Sequence, residues 1–105
     1  MLDQIIFQQV SQLTHNGIIR GLTEKEATSV AEQTVTAILS KTKEIASKYK
    51  DPNQTLIFQQ VSQISIGKIL GGADPLQSVE DAASTIGNLL SISKRLTENS
   101  GLLDQ

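Results

Sequence analysis

This sequence of 105 residues contains no cysteine and no tryptophan, and aromatic residues make up only 3% of it. The absence of cysteine excludes disulfides, thiolate metal ligands and thiol nucleophiles, although it does not fix the compartment. Sites that stack bases or sugars usually need aromatic rings, so the scarcity of rings argues against such sites. Because 38% of the residues are hydrophobic, we expect a core built from isoleucine, leucine, valine and alanine.

An excess of charge of one sign is also missing, since 11 acidic and 9 basic residues give a net charge of -2. This balance argues against general nucleic-acid binding, which favours a strongly basic face, and against adsorption to anionic membranes. No apolar run reaches the ~18 residues of a membrane-spanning helix. The start MLDQIIFQQV has no basic segment before an apolar core. We therefore expect no signal peptide and a cytoplasmic location, with export that needs no cleaved signal left open.

The heptapeptide IFQQVSQ occurs twice, at residues 6–12 and 57–63. An offset of 51 residues aligns 6–45 with 57–96 without gaps, and 14 of these 40 pairs are identical. The identities outside the heptapeptide are Ile18/Ile69, Gly21/Gly72, Ala31/Ala82, Thr34/Thr85, Leu39/Leu90, Ser40/Ser91 and Lys43/Lys94. We interpret the chain as one domain, residues 1–105, made by tandem duplication, with repeats at about 3–50 and about 54–99.

The first repeat has the pattern of a helical hairpin. Ile6, Val10 and Leu13 follow helical spacing, and glycines end this helix near Arg20. The segment Thr23–Glu26 has the sequence of a capping box, which predicts the start of a second, strongly amphipathic helix.

The second repeat follows the same plan after a break at Pro52. We expect a third helix from Leu56 to Leu70, closed by Gly71–Gly72. Asp74 is the expected N-cap of a fourth helix, with Pro75 in its first turn. The expected inward stripe of this helix is Val79, Ala82, Ala83, Ile86, Leu89, Leu90, Ser93 and Leu96.

The fold class follows from the apolar stripes of the two hairpins. One hairpin alone would leave its stripe in water, so the two must pack together. We predict an all-α protein, an antiparallel four-helix bundle with pseudo-twofold symmetry between the hairpins.

Few residues suggest chemistry. His15 is the only histidine. Histidine phosphotransfer proteins carry an exposed histidine in a bundle helix and a basic residue that stabilises the phosphoryl group. In this chain Arg20 or Lys25 could take the place of that basic residue. Those proteins carry a lysine and a glycine just after the histidine, whereas residues 16–19 here read Asn-Gly-Ile-Ile. No Glu-x-x-His pair of a di-iron centre occurs. We therefore expect no enzyme, no metal and no cofactor.

The glutamines are the least ordinary feature. On the first helix one stripe carries Gln8, Gln12, His15 and Ile19, and the matching stripe of the third helix carries Gln59, Gln63, Ile66 and Leu70. A solvated face is one explanation, because glutamine is a good helix former. The other explanation is that these faces contact a partner chain or each other, since interface cores are depleted in charged residues.

We therefore predict a non-enzymatic module for protein–protein interaction or scaffolding, which presents the glutamine-rich faces of the first and third helices. The expected partner is another protein or a second copy in a homodimer, with no nucleic acid and no membrane span. Two alternatives stay open, namely phosphotransfer through His15 and an amphipathic carrier that opens on lipid or an apolar ligand.

Overall fold

The structure, a computed structural model, describes residues 2–50 and 53–101. Four helices follow one another in these ranges: α1 Leu2–Ile19, α2 Glu24–Tyr49, α3 Gln54–Leu70 and α4 Pro75–Ser100. Only four residues separate successive helices, which makes sequence neighbours antiparallel. The predicted all-α bundle of two helical hairpins is confirmed. The predicted break at Pro52 lies outside the described residues.

The predicted starts of α2 and α4 are confirmed by their caps. Thr23 Oγ1 accepts a hydrogen bond from the Glu26 backbone N–H at 3.1 Å, and the Thr23 N–H donates to Glu26 Oε1 at 2.9 Å. Asp74 Oδ2 accepts from the Gln77 N–H at 2.9 Å, and Pro75 occupies the first turn. Each cap satisfies N–H groups that the helix itself leaves unpaired.

The start of α3 differs slightly from the prediction, which placed it at Leu56. The helix begins at Gln54, because Asn53 Oδ1 accepts from the Leu56 N–H at 3.1 Å and caps the first turn. Asparagine is as good an N-cap residue as aspartate.

The first helix of each hairpin ends in the same motif. The Gly21 N–H donates to the Ile18 carbonyl at 3.0 Å, and the Leu22 N–H donates to the Gly17 carbonyl at 3.0 Å. At the equivalent positions of the second hairpin, 51 residues on, the Gly72 N–H donates to the Ile69 carbonyl at 2.9 Å and the Ala73 N–H donates to the Lys68 carbonyl at 3.0 Å. This pair of bonds is a Schellman motif, which favours glycine because its central residue is left-handed. The two glycines have φ of +102° and +103°.

Apart from Phe58, the residues of the core are aliphatic, as expected, and they form two clusters. The larger cluster joins α2, α3 and α4, and its buried members are Ile38, Ile45, Ala46, Ile57, Phe58, Val61, Val79, Ala82, Ala83 and Ile86. The smaller cluster joins α1, α2 and α3 through Leu13, Ala31, Val35, Ile66 and Ile69.

The two hairpins are displaced along the long axis of the molecule. Tyr49, at the end of α2, packs against Gly87 near the middle of α4, where an added Cβ would lie 3.3 Å from the Tyr49 hydroxyl. Lys41 Nζ lies 3.2 Å from Glu80 Oε1, so α2 and α4 run parallel in this displaced register. The molecule is 53 Å long, whereas a helix of 26 residues spans only about 39 Å.

This displacement contradicts the predicted pseudo-twofold symmetry. A twofold axis would relate the contact between α2 and α3 to an equal contact between α1 and α4. The first contact exists, but no Cα atom of α1 comes within 8 Å of a Cα atom of α4. The relation between the hairpins is therefore closer to a shift along the axis than to a twofold rotation.

The displacement also corrects the predicted inward stripe of α4. The stripe is buried from Val79 to Ile86, but Leu89 and Leu96 are 49% and 60% exposed, Ser93 is exposed and Leu90 is half-buried. The end of α2, at Tyr49, packs against Gly87 near the middle of α4. Beyond Gly87 only Leu90 packs against the larger core cluster, while Leu89 and Leu96 stay exposed. Periodicity predicted the correct face of the helix but not the length over which this face is covered.

Candidate interaction site: a glutamine-lined groove

The two copies of the heptapeptide lie beside each other on α1 and α3 and form the walls of one groove. The groove has a volume of about 520 Å³. It is lined by Gln9 and Gln12 of α1 and by Gln59, Gln60, Ser62, Gln63, Ile66, Gly67 and Leu70 of α3. We call this the glutamine groove. Its lining contains five glutamines and no charged side chain.

One hydrogen bond joins the two walls of the groove. Gln9 is 9% exposed and Ser62 is 2% exposed, and Ser62 Oγ donates to Gln9 Oε1 at 3.2 Å. This bond satisfies two polar groups that burial would otherwise leave without water. Gln60 occupies the position in the second heptapeptide that Gln9 occupies in the first, and it is exposed at the surface of the groove.

The groove gathers five of the eight residues that the sequence predicts for an interface: Gln12, Gln59, Gln63, Ile66 and Leu70. Ile66 belongs to the smaller core cluster and is only 7% exposed, so it forms the floor of the groove. The other three residues, Gln8, His15 and Ile19, are exposed on α1 and are not part of the lining. Ile19 is 83% exposed.

Sequence reasoning missed four lining residues, Gln9, Gln60, Ser62 and Gly67. Gln9 and Ser62 both belong to the repeated heptapeptide, so its invariance in the two copies was the available signal. The heptapeptides are identical, however, and cannot indicate that Gln9 is buried while Gln60 is exposed.

Two ion pairs lie outside the groove, one between α2 and α4 and one between α3 and α4. Lys41 binds Glu80, and this hydrogen bond raises the pKa of Lys41. Lys68 Nζ donates to Asp81 Oδ2 at 2.9 Å, and this bond holds the pKa of Asp81 below its ordinary value, with help from the Gln77 amide. These pairs are partly exposed and contribute little stability, and none of their charged groups lines the groove.

His15 is exposed on α1. Arg20, one of the two basic residues considered as its partner in phosphotransfer, holds the two hairpins together. Its Nη2 donates to the Leu70 carbonyl at 2.8 Å and its Nε donates to Asn16 Oδ1 at 3.3 Å. The structure therefore assigns Arg20 a structural contact and adds no observation that favours phosphotransfer.

A second concave feature lies where the helix ends meet. This end cavity has a volume of about 300 Å³ and is lined mainly by apolar side chains. Its apolar walls include Leu13, Leu22, Ala27, Val30, Ile69 and Pro75, with Arg20 at the same site. The cavity reaches the lower end of the size range of small-molecule sites.

No protein family, curated protein or solved structure matches this chain. Within the described residues, no helix combines the length and the apolar character needed to cross a membrane. The same residues contain no group of three or more histidine, cysteine, aspartate or glutamate side chains that could hold a metal ion. Function must therefore be inferred from the chemistry of the groove and the cavity.

Proposed function

We propose that this chain is a non-enzymatic interaction module whose glutamine groove binds a helix of another protein chain, with a second copy of this chain as its first partner. The observation that carries this proposal is the uncharged lining of the groove, which combines five glutamines with Ile66 and Leu70. Interface cores are depleted in charge. The groove is open to solvent, yet its residue composition is that of an interface core.

The chemistry of the lining favours a helix as the occupant. A groove between two helices accepts a third helix through apolar anchors on one face. Leu70, 40% exposed, can contact such an anchor. The exposed amides of Gln12, Gln59 and Gln63 offer both donors and acceptors, so they can pair with the same amides on a second copy.

The test is the solution mass of the protein, measured by sedimentation equilibrium over a range of concentrations. Gln12→Glu combined with Gln63→Glu places two like charges in the groove of each copy. A buried pair of like charges opposes association, so the dissociation constant should rise by about tenfold or more.

Gln33→Glu combined with Gln54→Glu is the matched control. Both residues are exposed and lie outside the groove, so this variant carries the same added charge and should associate like the wild type. Association of the groove variant with unchanged affinity would remove the proposal, and so would a wild type that is monomeric at every concentration.

The end cavity favours a second candidate function, a carrier of small apolar ligands. Val30 is half-buried and lines this cavity, so Val30→Phe should fill it. If the chain is a carrier, calorimetry should detect binding of a medium-chain fatty acid to the wild type and not to Val30→Phe, with Gln33→Phe on the exposed face as the control. Equal binding to all three proteins would rule out the cavity as the binding site.

A further inference from the structure

The longer helix of each hairpin projects beyond the shorter one. In the first hairpin, α2 has 26 residues and α1 has 18; in the second, α4 has 26 and α3 has 17. The projecting half of α2 is covered by α3 and α4 in the larger core cluster. In the half of α4 beyond Gly87, Leu90 packs against the same cluster, but Leu89, Ile92 and Leu96 are exposed.

The sequence offset shows that these two projecting halves are copies of one surface. Ile38 and Ile45 of α2 correspond to Leu89 and Leu96 of α4. The α2 residues are 0% and 6% exposed, whereas their α4 counterparts are 49% and 60% exposed. Leucine in place of isoleucine keeps the volume and apolar character of the surface.

The opposite half of the same interface is also present in two copies. Phe58 of α3 is 2% exposed and packs in the cluster with Ile38 and Ile45. Its counterpart in the other heptapeptide, Phe7 of α1, is 71% exposed. The neighbours Ile6 and Val10 are only half-buried, although Ile57 and Val61 at the equivalent positions are buried.

The molecule therefore buries one copy of this interface and exposes both halves of the other. The two exposed halves cannot meet within one chain, since no Cα atoms of α1 and α4 approach within 8 Å of each other. On α4, the exposed residues Leu89 and Leu96 continue the stripe whose first part, Val79 to Ile86, is buried. If a second copy were displaced from the second hairpin as the second hairpin is displaced from the first, its α1 would lie on this part of the stripe.

We propose that a second copy of this chain docks head to tail, with the start of its α1 on the projecting half of α4. In the complex, Phe7 of the second copy packs with Leu89 and Leu96, as Phe58 packs in one cluster with Ile38 and Ile45 within one chain. This surface is separate from the glutamine groove and does not rest on the function proposed for it. Because the two halves differ, the contact is heterologous, and repetition gives an open array or a closed ring.

Two variants and their mixture test this arrangement by sedimentation equilibrium up to about 1 mM protein, where even millimolar association is detected. Phe7→Glu removes one half of the interface, and Leu89→Glu combined with Leu96→Glu removes the other. Each variant alone should associate at least about tenfold more weakly than the wild type. With Gln12→Glu and Gln63→Glu also present in both chains to remove pairing through the groove, a one-to-one mixture should form a dimer and stop there, because each chain keeps the half that the other has lost.

Leu76→Glu is the matched control, because Leu76 is 50% exposed on α4 and lies outside both halves of the interface. It should associate like the wild type. All substituted side chains are exposed, and circular dichroism of the dilute proteins checks that each variant remains helical. A monomeric wild type, unchanged association of either variant, or a mixture that stays monomeric overturns the proposal. Loss of association only in Gln12→Glu with Gln63→Glu would assign self-association to the groove instead.

Discussion

Two serines of α3 are both buried, but only one of them has a hydrogen-bond partner. Ser62 is 2% exposed and donates to Gln9 Oε1, whereas Ser65 is 0% exposed and its hydroxyl has no partner among the described residues. A buried polar group without a partner costs about 1–3 kcal/mol. The two residues therefore form a natural comparison between a satisfied and an unsatisfied hydroxyl.

We predict opposite effects of alanine at these two positions. Ser65→Ala removes the unsatisfied hydroxyl and gains helix propensity, so the free energy of unfolding should rise by about 0.5–1 kcal/mol. Ser62→Ala leaves Gln9 Oε1 without its donor, so the free energy of unfolding should fall by about 1 kcal/mol. Urea denaturation of both variants measures the difference, and a loss of stability in Ser65→Ala as large as that in Ser62→Ala would contradict it.

Environments at the residue scale could be predicted only in part. The aliphatic character of the core followed from composition. The difference in burial between Phe7 and Phe58 could not be predicted, because these residues occupy identical heptapeptides and differ only in what surrounds their helices. α3 contacts α1, α2 and α4, whereas α1 contacts α2 and, less extensively, α3. Tertiary contacts of this kind leave no trace in a local sequence pattern.

At the scale of single elements, the capping box of α2 links helix stability to pH. The backbone N–H of Thr23 donates to the Glu26 carboxylate, and this bond lowers the pKa of Glu26 from its ordinary value of 4.5. A carboxyl group whose pKa is lower in the folded state stabilises the fold above its unfolded pKa. That contribution is lost as the pH falls through the lowered pKa of the folded state.

We predict that Glu26→Gln loses less stability on acidification than the wild type. Glutamine keeps an oxygen that can accept from Thr23, so the cap survives without the titrating group. Urea denaturation at a series of pH values from neutral to strongly acidic measures this dependence. Glu24→Gln, in the same first turn but outside the capping box, is the control, and parallel acid curves for the wild type and Glu26→Gln would contradict the prediction.

Helix ends were more predictable than helix packing. The caps at Thr23 and Asp74 and the glycine ends were predicted from local sequence, because a cap is formed by residues within a few positions of one another. The coverage of α4 was predicted wrongly beyond Ile86. A hydrophobic stripe indicates the face that a helix can bury, and only the positions of the other helices decide how much of it is buried.

At the scale of the whole molecule, the displacement of the hairpins gives an extended bundle. The radius of gyration is 15.5 Å, compared with about 13 Å for a compact domain of this length. The number of helices and their antiparallel connections could be predicted from the repeats and the short loops. The relation between the hairpins could not, since a twofold rotation and a shift along the axis both bury two apolar stripes and leave the same sequence pattern.

The glutamine groove also belongs to this scale. The sequence predicted that the glutamine faces of the first and third helices matter, and the structure brings five of the eight residues into one groove. The groove exists because α1 lies beside α3, a contact between helices distant in sequence. Whether the groove is an interface remains a prediction, and the solution mass of the groove variant addresses it.

The two identical heptapeptides occupy different environments, and we propose that the exposed copy becomes covered when chains associate. The chain contains two phenylalanines, Phe7 and Phe58, so incorporation of fluorophenylalanine gives two ¹⁹F resonances, which Phe7→Leu assigns. The change in chemical shift between H₂O and D₂O reports the exposure of each ring. In dilute protein we expect a large change for Phe7 and little change for Phe58, and the Phe7 value should fall as concentration rises. Equal changes for the two rings in dilute protein would contradict it.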